Sequence, residues 1–95
     1  MWQLIGQDEA SGALLLTCSG LGLDSFPTLA PDLLAAWEMT LQEQELAADR
    51  HCWVVDFEGS KLLLQYEHYG DVCWIEACHQ DDRPVLAWLA QHHAA

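Results

Sequence analysis

Positive charge is the scarcest property of this chain: Arg50, Lys61 and Arg83 are its cations, against fifteen carboxylates, for a formal charge of −12. Nucleic acid and anionic lipid both reward clustered Lys and Arg, so neither nucleic acid nor a membrane is an expected partner. Long apolar runs are missing too. Those present span only a few residues, as in Ala13–Leu16, whereas a membrane-crossing helix needs about 18 or more. The stretch Met1–Glu9 has no basic segment, no adequate apolar segment and no small-residue cleavage site. Export by a standard signal peptide is therefore not expected, and a cytoplasmic location is. Cys18, Cys52, Cys73 and Cys78 lack the paired short spacings of a zinc module, and in the cytosol they are expected as free thiols. There is no Gly-rich phosphate loop, nucleophile elbow or dinucleotide fingerprint; Gly20-Leu21-Gly22 alone is a weak motif. No cofactor is expected, and the residues argue against an enzyme more than for one.

What is present is material for a core. Apolar residues make up 52% of the 95, far above a disordered segment. That length suits one domain over 1–95, able to bury roughly 60–70% of its unfolded surface without a metal or disulfide staple.

Residues 2–6 and 13–18 read as strands around a polar turn, Gln7 to Gly12. The run Ala13–Cys18 is apolar on both faces, which suits a central strand. Asp24-Ser25-Phe26-Pro27 is a helix start, with Ser25 as cap and Pro27 in the first turn. Leu29, Leu33, Trp37 and Leu41, with Ala30 and Leu34, make a stripe at helical spacing. Pro31 is expected to bend that helix or begin a second segment, and Thr40–Leu46 reads as either helix or strand. A second helix follows Asp81 or Asp82, with Pro84 in its first turn. Val85, Leu86, Trp88 and Leu89 are candidates for its buried face, and Gln91–Ala95 is expected to fray.

Between the helices the pattern has period two. Trp53, Val55 and Phe57 alternate with Asp56 and Glu58; Leu62, Leu64 and Tyr66 alternate with Leu63, Gln65 and Glu67. A two-residue turn at Gly59-Ser60 places Glu58 opposite Lys61, and one at Gly70-Asp71 places His68 opposite Cys73. Both turns put Trp53, Val55, Phe57, Leu62, Leu64, Tyr66 and Ile75 on one face, so residues 51–78 form a three-stranded antiparallel meander. A turn at Glu58-Gly59 would keep the faces but lose the Glu58–Lys61 pair. The fold class is α+β: a two-layer sandwich of a mainly antiparallel sheet with two helices packed mainly on one face.

Several of these segments resemble a family of small bacterial cytoplasmic proteins classed as a domain of unknown function. They are Asp24-Ser25-Phe26-Pro27, Ala48-Asp49-Arg50-His51 running into Trp53–Gly59, Glu67-His68-Tyr69 and Trp74-Ile75-Glu76. Asp56–Gly59 and Glu67–Tyr69 are the most specific pieces. The resemblance implies an extended Thr40–Leu46 and a bacterial cytosolic location; it carries no catalytic or binding residue onto this chain.

Two constellations follow from the register. His51, His68 and Cys73 would lie side by side on the core face, neighbouring Cβ atoms about 5 Å apart. Such a row is a candidate zinc, copper or thiol site, although its outer members are about 10 Å apart and no fourth ligand is evident. The opposite face carries Cys52, Val54, Leu63, Val72 and Trp74 among the acids Asp56, Glu58, Glu67 and Glu76. Apolar side chains this large on a nominally wet face suggest cover, by the first helix or by a second copy. A partner is preferred, because helices on both faces would need more helix than the chain supplies. The leading expectation is a non-enzymatic, acidic protein-interaction module that self-associates through this face, using Val54, Leu63, Trp74, Glu67 and Glu76. The alternatives are the His51, His68, Cys73 site and an acidic decoy for a basic protein.

Overall fold

A computed structural model, which describes residues 1–93, resolves these patterns into six strands and two helices. The strands are β1 (Trp2–Gln7), β2 (Leu14–Cys18), β3 (Thr40–Leu46), β4 (Arg50–Phe57), β5 (Ser60–Glu67) and β6 (Val72–Ala77). Helix α1 (Phe26–Ala36) joins β2 to β3, and helix α2 (Arg83–His93) follows β6 through a single 3-10 turn, Gln80–Asp82. All pairings are antiparallel, in the order β1-β2-β6-β5-β4-β3. Thr40–Leu46 is extended, as the family resemblance implied. β2 lies inside the sheet, as its two apolar faces required. The α+β sandwich and the meander are both present.

One face of the sheet makes the core. Leu14 and Leu16, Cys73 and Ile75, Leu62, Leu64 and Tyr66, and Trp53, Val55 and Phe57 point to the same side. Phe26, Ala30, Leu33 and Leu34 of α1 and Leu86 and Leu89 of α2 pack against them. Each fully buried side chain of this size contributes about 1.5–3 kcal/mol relative to exposure. Phe26 is the hub, stacked on His51 with centroids 5.0 Å apart and edge-on to Trp53 at 5.2 Å. Trp2 donates its indole N–H to the Leu29 carbonyl at 2.9 Å, tying β1 to α1.

Both hairpin turns differ from expectation: the first lies one residue earlier and the second begins two residues earlier. The first turn is Glu58-Gly59, with φ of 50° and 91°, so Phe57 faces Ser60 and Asp56 faces Lys61. Two left-handed residues make the turn that matches strand twist, and only Gly59 adopts that conformation without strain. Asp56 adds an acceptor for the Gly59 N–H at 3.1 Å. The second connection is four residues, 68–71, rather than two. Glu67 accepts the N–H groups of Tyr69 and Gly70 at 3.1 and 2.9 Å, and the left-handed residue is Asp71, φ 50°. A Cβ at Gly70 would meet the Glu67 carboxylate oxygen at 2.7 Å, so that side chain would have to shift from its place in the turn. Each shift moves the register by two residues, an even number, so every side chain keeps its face.

The helix boundaries also need correcting. The Ser25 hydroxyl does not cap α1; it accepts the Gly22 N–H at 2.8 Å and donates to the Gly20 carbonyl at 2.7 Å, bracing the preceding loop. Pro31 stays within a single helix. The helix ends at Ala36, and Leu41 belongs to β3 rather than to the helical stripe. Among the α2 candidates Leu86 and Leu89 are buried, Val85 is half-buried, and Trp88 is 49% exposed, lying against Phe57 and stacked on His92. Asp82 accepts the Ser60 hydroxyl at 3.1 Å. The last turn does not fray through His93, which stacks on Trp37 at 4.3 Å; the expected fraying of Ala94 and Ala95 falls outside the described residues.

Candidate functional site

The register places His51, Tyr66 and Cys73 in one row across β4, β5 and β6 on the core face. Tyr66 occupies the place expected for His68, which sits two residues further on in the exposed turn beside Tyr69. The three-membered histidine–cysteine row therefore does not form. His51 is buried at 5% exposure; its Nε2–H donates to the Leu23 carbonyl at 2.7 Å while its ring stacks on Phe26. Burial, reinforced by the neighbouring Cys18, pushes the Cys73 thiol up to about 12, so it stays protonated and unreactive near neutrality. Tyr66 donates its hydroxyl to Asp71 at 2.6 Å. Among the described residues no group of three His, Cys, Asp or Glu side chains is placed to hold a metal. The row locks the end of the sheet to α1.

The other face of the sheet is built differently. Both helices lie on the core side, so the outward residues of the central strands have no helical cover. Leu15 faces Trp74, Trp74 faces Gln65, Gln65 faces Cys52, and Cys52 faces Glu45: one row across five strands. The adjoining row runs Glu76, Leu63, Val54, Glu43. Leu15, Val54, Leu63, Val72 and Trp74 are each half-buried, and Gln65 is 9% exposed despite facing away from the core.

The polar groups at the centre are paired with one another. Glu76 accepts the Trp74 indole N–H at 3.0 Å and also accepts a short hydrogen bond from the Gln65 amide. Charges lie towards the margin: Glu67 opposite Arg50, and Asp56 opposite Lys61, with Glu43 and Glu45 on β3. Two of the three cations of the chain thus share this face. Cys52 sits in the middle, where burial, Glu45 and Glu76 hold its thiol above its usual value.

All five residues expected on this surface, Val54, Leu63, Glu67, Trp74 and Glu76, share it. Sequence reasoning missed Leu15, Gln65, Arg50 and Lys61. The apolar outward side of Ala13–Cys18 was a signal for Leu15, but nothing local said that β2 lies beside β6. Gln65 gave no signal, because a glutamine on an outward face ordinarily meets water.

The described residues include no helix long and apolar enough to cross a membrane. No curated protein and no solved structure matches the chain. A family model does match residues 2–94, and the chain accordingly belongs to the family described as Protein of unknown function (DUF3630).

Proposed function

We propose that this protein is a non-enzymatic interaction module that self-associates through the helix-free face of its sheet, acting in a bacterial cytoplasm where its four cysteines remain thiols. The observation that carries the reading is the contiguous patch of Leu15, Val54, Leu63 and Trp74, with Glu76 and Gln65 paired inside it and charges around it. A solvated sheet face ordinarily alternates polar side chains outward. An apolar centre inside a charged rim is the usual anatomy of an interface.

A second copy is the favoured occupant on charge grounds. In a two-fold contact the Arg50 and Lys61 of each copy meet acids of the other. The net charge of −12 opposes approach at long range, and salt screens that repulsion over a Debye length of about 8 Å at physiological strength. Self-association should therefore tighten as salt rises. Sedimentation velocity at about 100 µM chain is expected to show a dimer that Trp74→Ala dissociates and Trp88→Ala, on the helix layer, does not. A strict monomer across that range, or a dimer indifferent to Trp74→Ala, contradicts the reading.

A further inference from the structure

The two edges of the sheet differ in chemistry. β1 carries no charge, has a bulge at Ile5, and is tied to α1 through Trp2. β3 is the opposite edge, and six of its seven residues are exposed. Its own bulge, at Gln42, sorts the strand into two rows. Glu43 and Glu45 pair with Val54 and Cys52 and share the helix-free face; Leu41, Gln44 and Leu46 pair with Val55, Trp53 and His51 and share the core side. Leu41 packs against the core, while Gln44 and Leu46 at the other end of this row are exposed. Pro27, Gln44, Glu45, Leu46, His51 and Trp53 line an open shelf beside the strand, where Leu46 is 69% exposed.

We propose that β3 is a docking edge for an extended segment of another protein in which Lys or Arg alternates with apolar residues. A strand added to β3 would hydrogen-bond its backbone to the free edge. Its side chains would alternate, basic ones against Glu43 and Glu45 on one face, apolar ones on the shelf between Leu46 and Pro27. The two glutamates also select against the wrong partner. A second copy presenting its own β3 would set like charges opposite each other, which repel. Nor does this chain supply the strand, since its three cations stand at 50, 61 and 83 with no alternating basic run. Glu43 and Glu45 also stand in the rim of the helix-free face, but the free backbone edge and the shelf do not involve Trp74, so Trp74→Ala separates this proposal from self-association.

The test is fluorescence anisotropy with a labelled probe of alternating lysine and valine, seven residues long like β3. The probe should bind saturably. Glu43→Gln with Glu45→Gln should weaken it roughly tenfold or more, as should raising the salt from about 0.05 to about 0.5 M, the reverse of the salt effect on self-association. The backbone N-methylated analogue, which keeps the charge but loses the ladder donors, should fail to bind. Amide exchange should slow at Glu43–Leu46 on binding, and Trp74→Ala should leave probe affinity unchanged. No binding at about 1 mM probe, equal binding of the N-methylated analogue, or protection confined to other strands would overturn the proposal.

Discussion

Cys73 faces Leu16 on one neighbouring strand and Tyr66 on the other and is 1% exposed. Its thiol, pushed up to about 12 from an ordinary 9.0 mainly by burial, ties proton chemistry to folding. The folded state holds that proton more tightly than the unfolded chain does. Its contribution is therefore fully present below pH 9 and is lost as pH rises towards 12. Tyr66, also raised to about 12 by burial and by its hydrogen bond to Asp71, adds a loss that begins near pH 10. Urea midpoints measured from pH 8 to 11 should fall with rising pH, and Cys73→Val should shrink the early part of that loss without abolishing it, because the Cys52 thiol is also raised. A flat profile in the parent protein would contradict this account. The histidine–cysteine constellation was misread for a separate reason, the length of the turn between β5 and β6. Sequence periodicity assigns a face correctly, but the row within that face depends on turn length. Glu67 closed a four-residue turn through its carboxylate, a device that no alternation pattern encodes.

Elements stop where backbone groups find partners, and α1 shows how little of that is visible beforehand. Glu38 takes φ 57°, its N–H reaches the Ala35 carbonyl at 3.4 Å, and the Met39 N–H reaches the Leu34 carbonyl at 2.8 Å. This is a Schellman ending, with buried Leu34 and Met39 as its apolar pair. A glycine is the usual signal at the left-handed position. Here a glutamate sits there, so the apolar stripe seemed to run on to Leu41. A non-glycine residue in that conformation costs about 1 kcal/mol. Glu38→Gly should therefore raise thermal stability by about 0.5–1 kcal/mol, read as an upward shift in Tm, whereas a drop would mean that the Glu38 side chain contributes something else. The bulge at Gln42 was hidden for a related reason. It lets Leu41 and Leu46, five residues apart, share a face, so β3 never displays the clean alternation of β4 and β5.

At the scale of the whole molecule, the layers were legible and the order of the strands was not. Ala13–Cys18 announced a central strand by being apolar on both sides, and Trp53–Ile75 announced a shared core face that survived two register shifts because each was even. The adjacency of β2 and β6 depends on packing between segments more than fifty residues apart, which local patterning does not carry. That adjacency is what sets Leu15 beside Trp74 and extends the outer patch across the sheet. With α1 and α2 both on the other side, the patch has no helical cover, and its charged rim carries cations as well as acids.

The most direct test is an isotope-filtered NOE experiment on an equimolar mixture of labelled and unlabelled chains at about 1 mM and raised salt. Contacts between copies should involve the Trp74 indole and the methyl groups of Val54, Leu63 and Leu15. If no such cross-peaks arise, or if they involve only the helix layer around Trp88, the helix-free face is not where two copies meet.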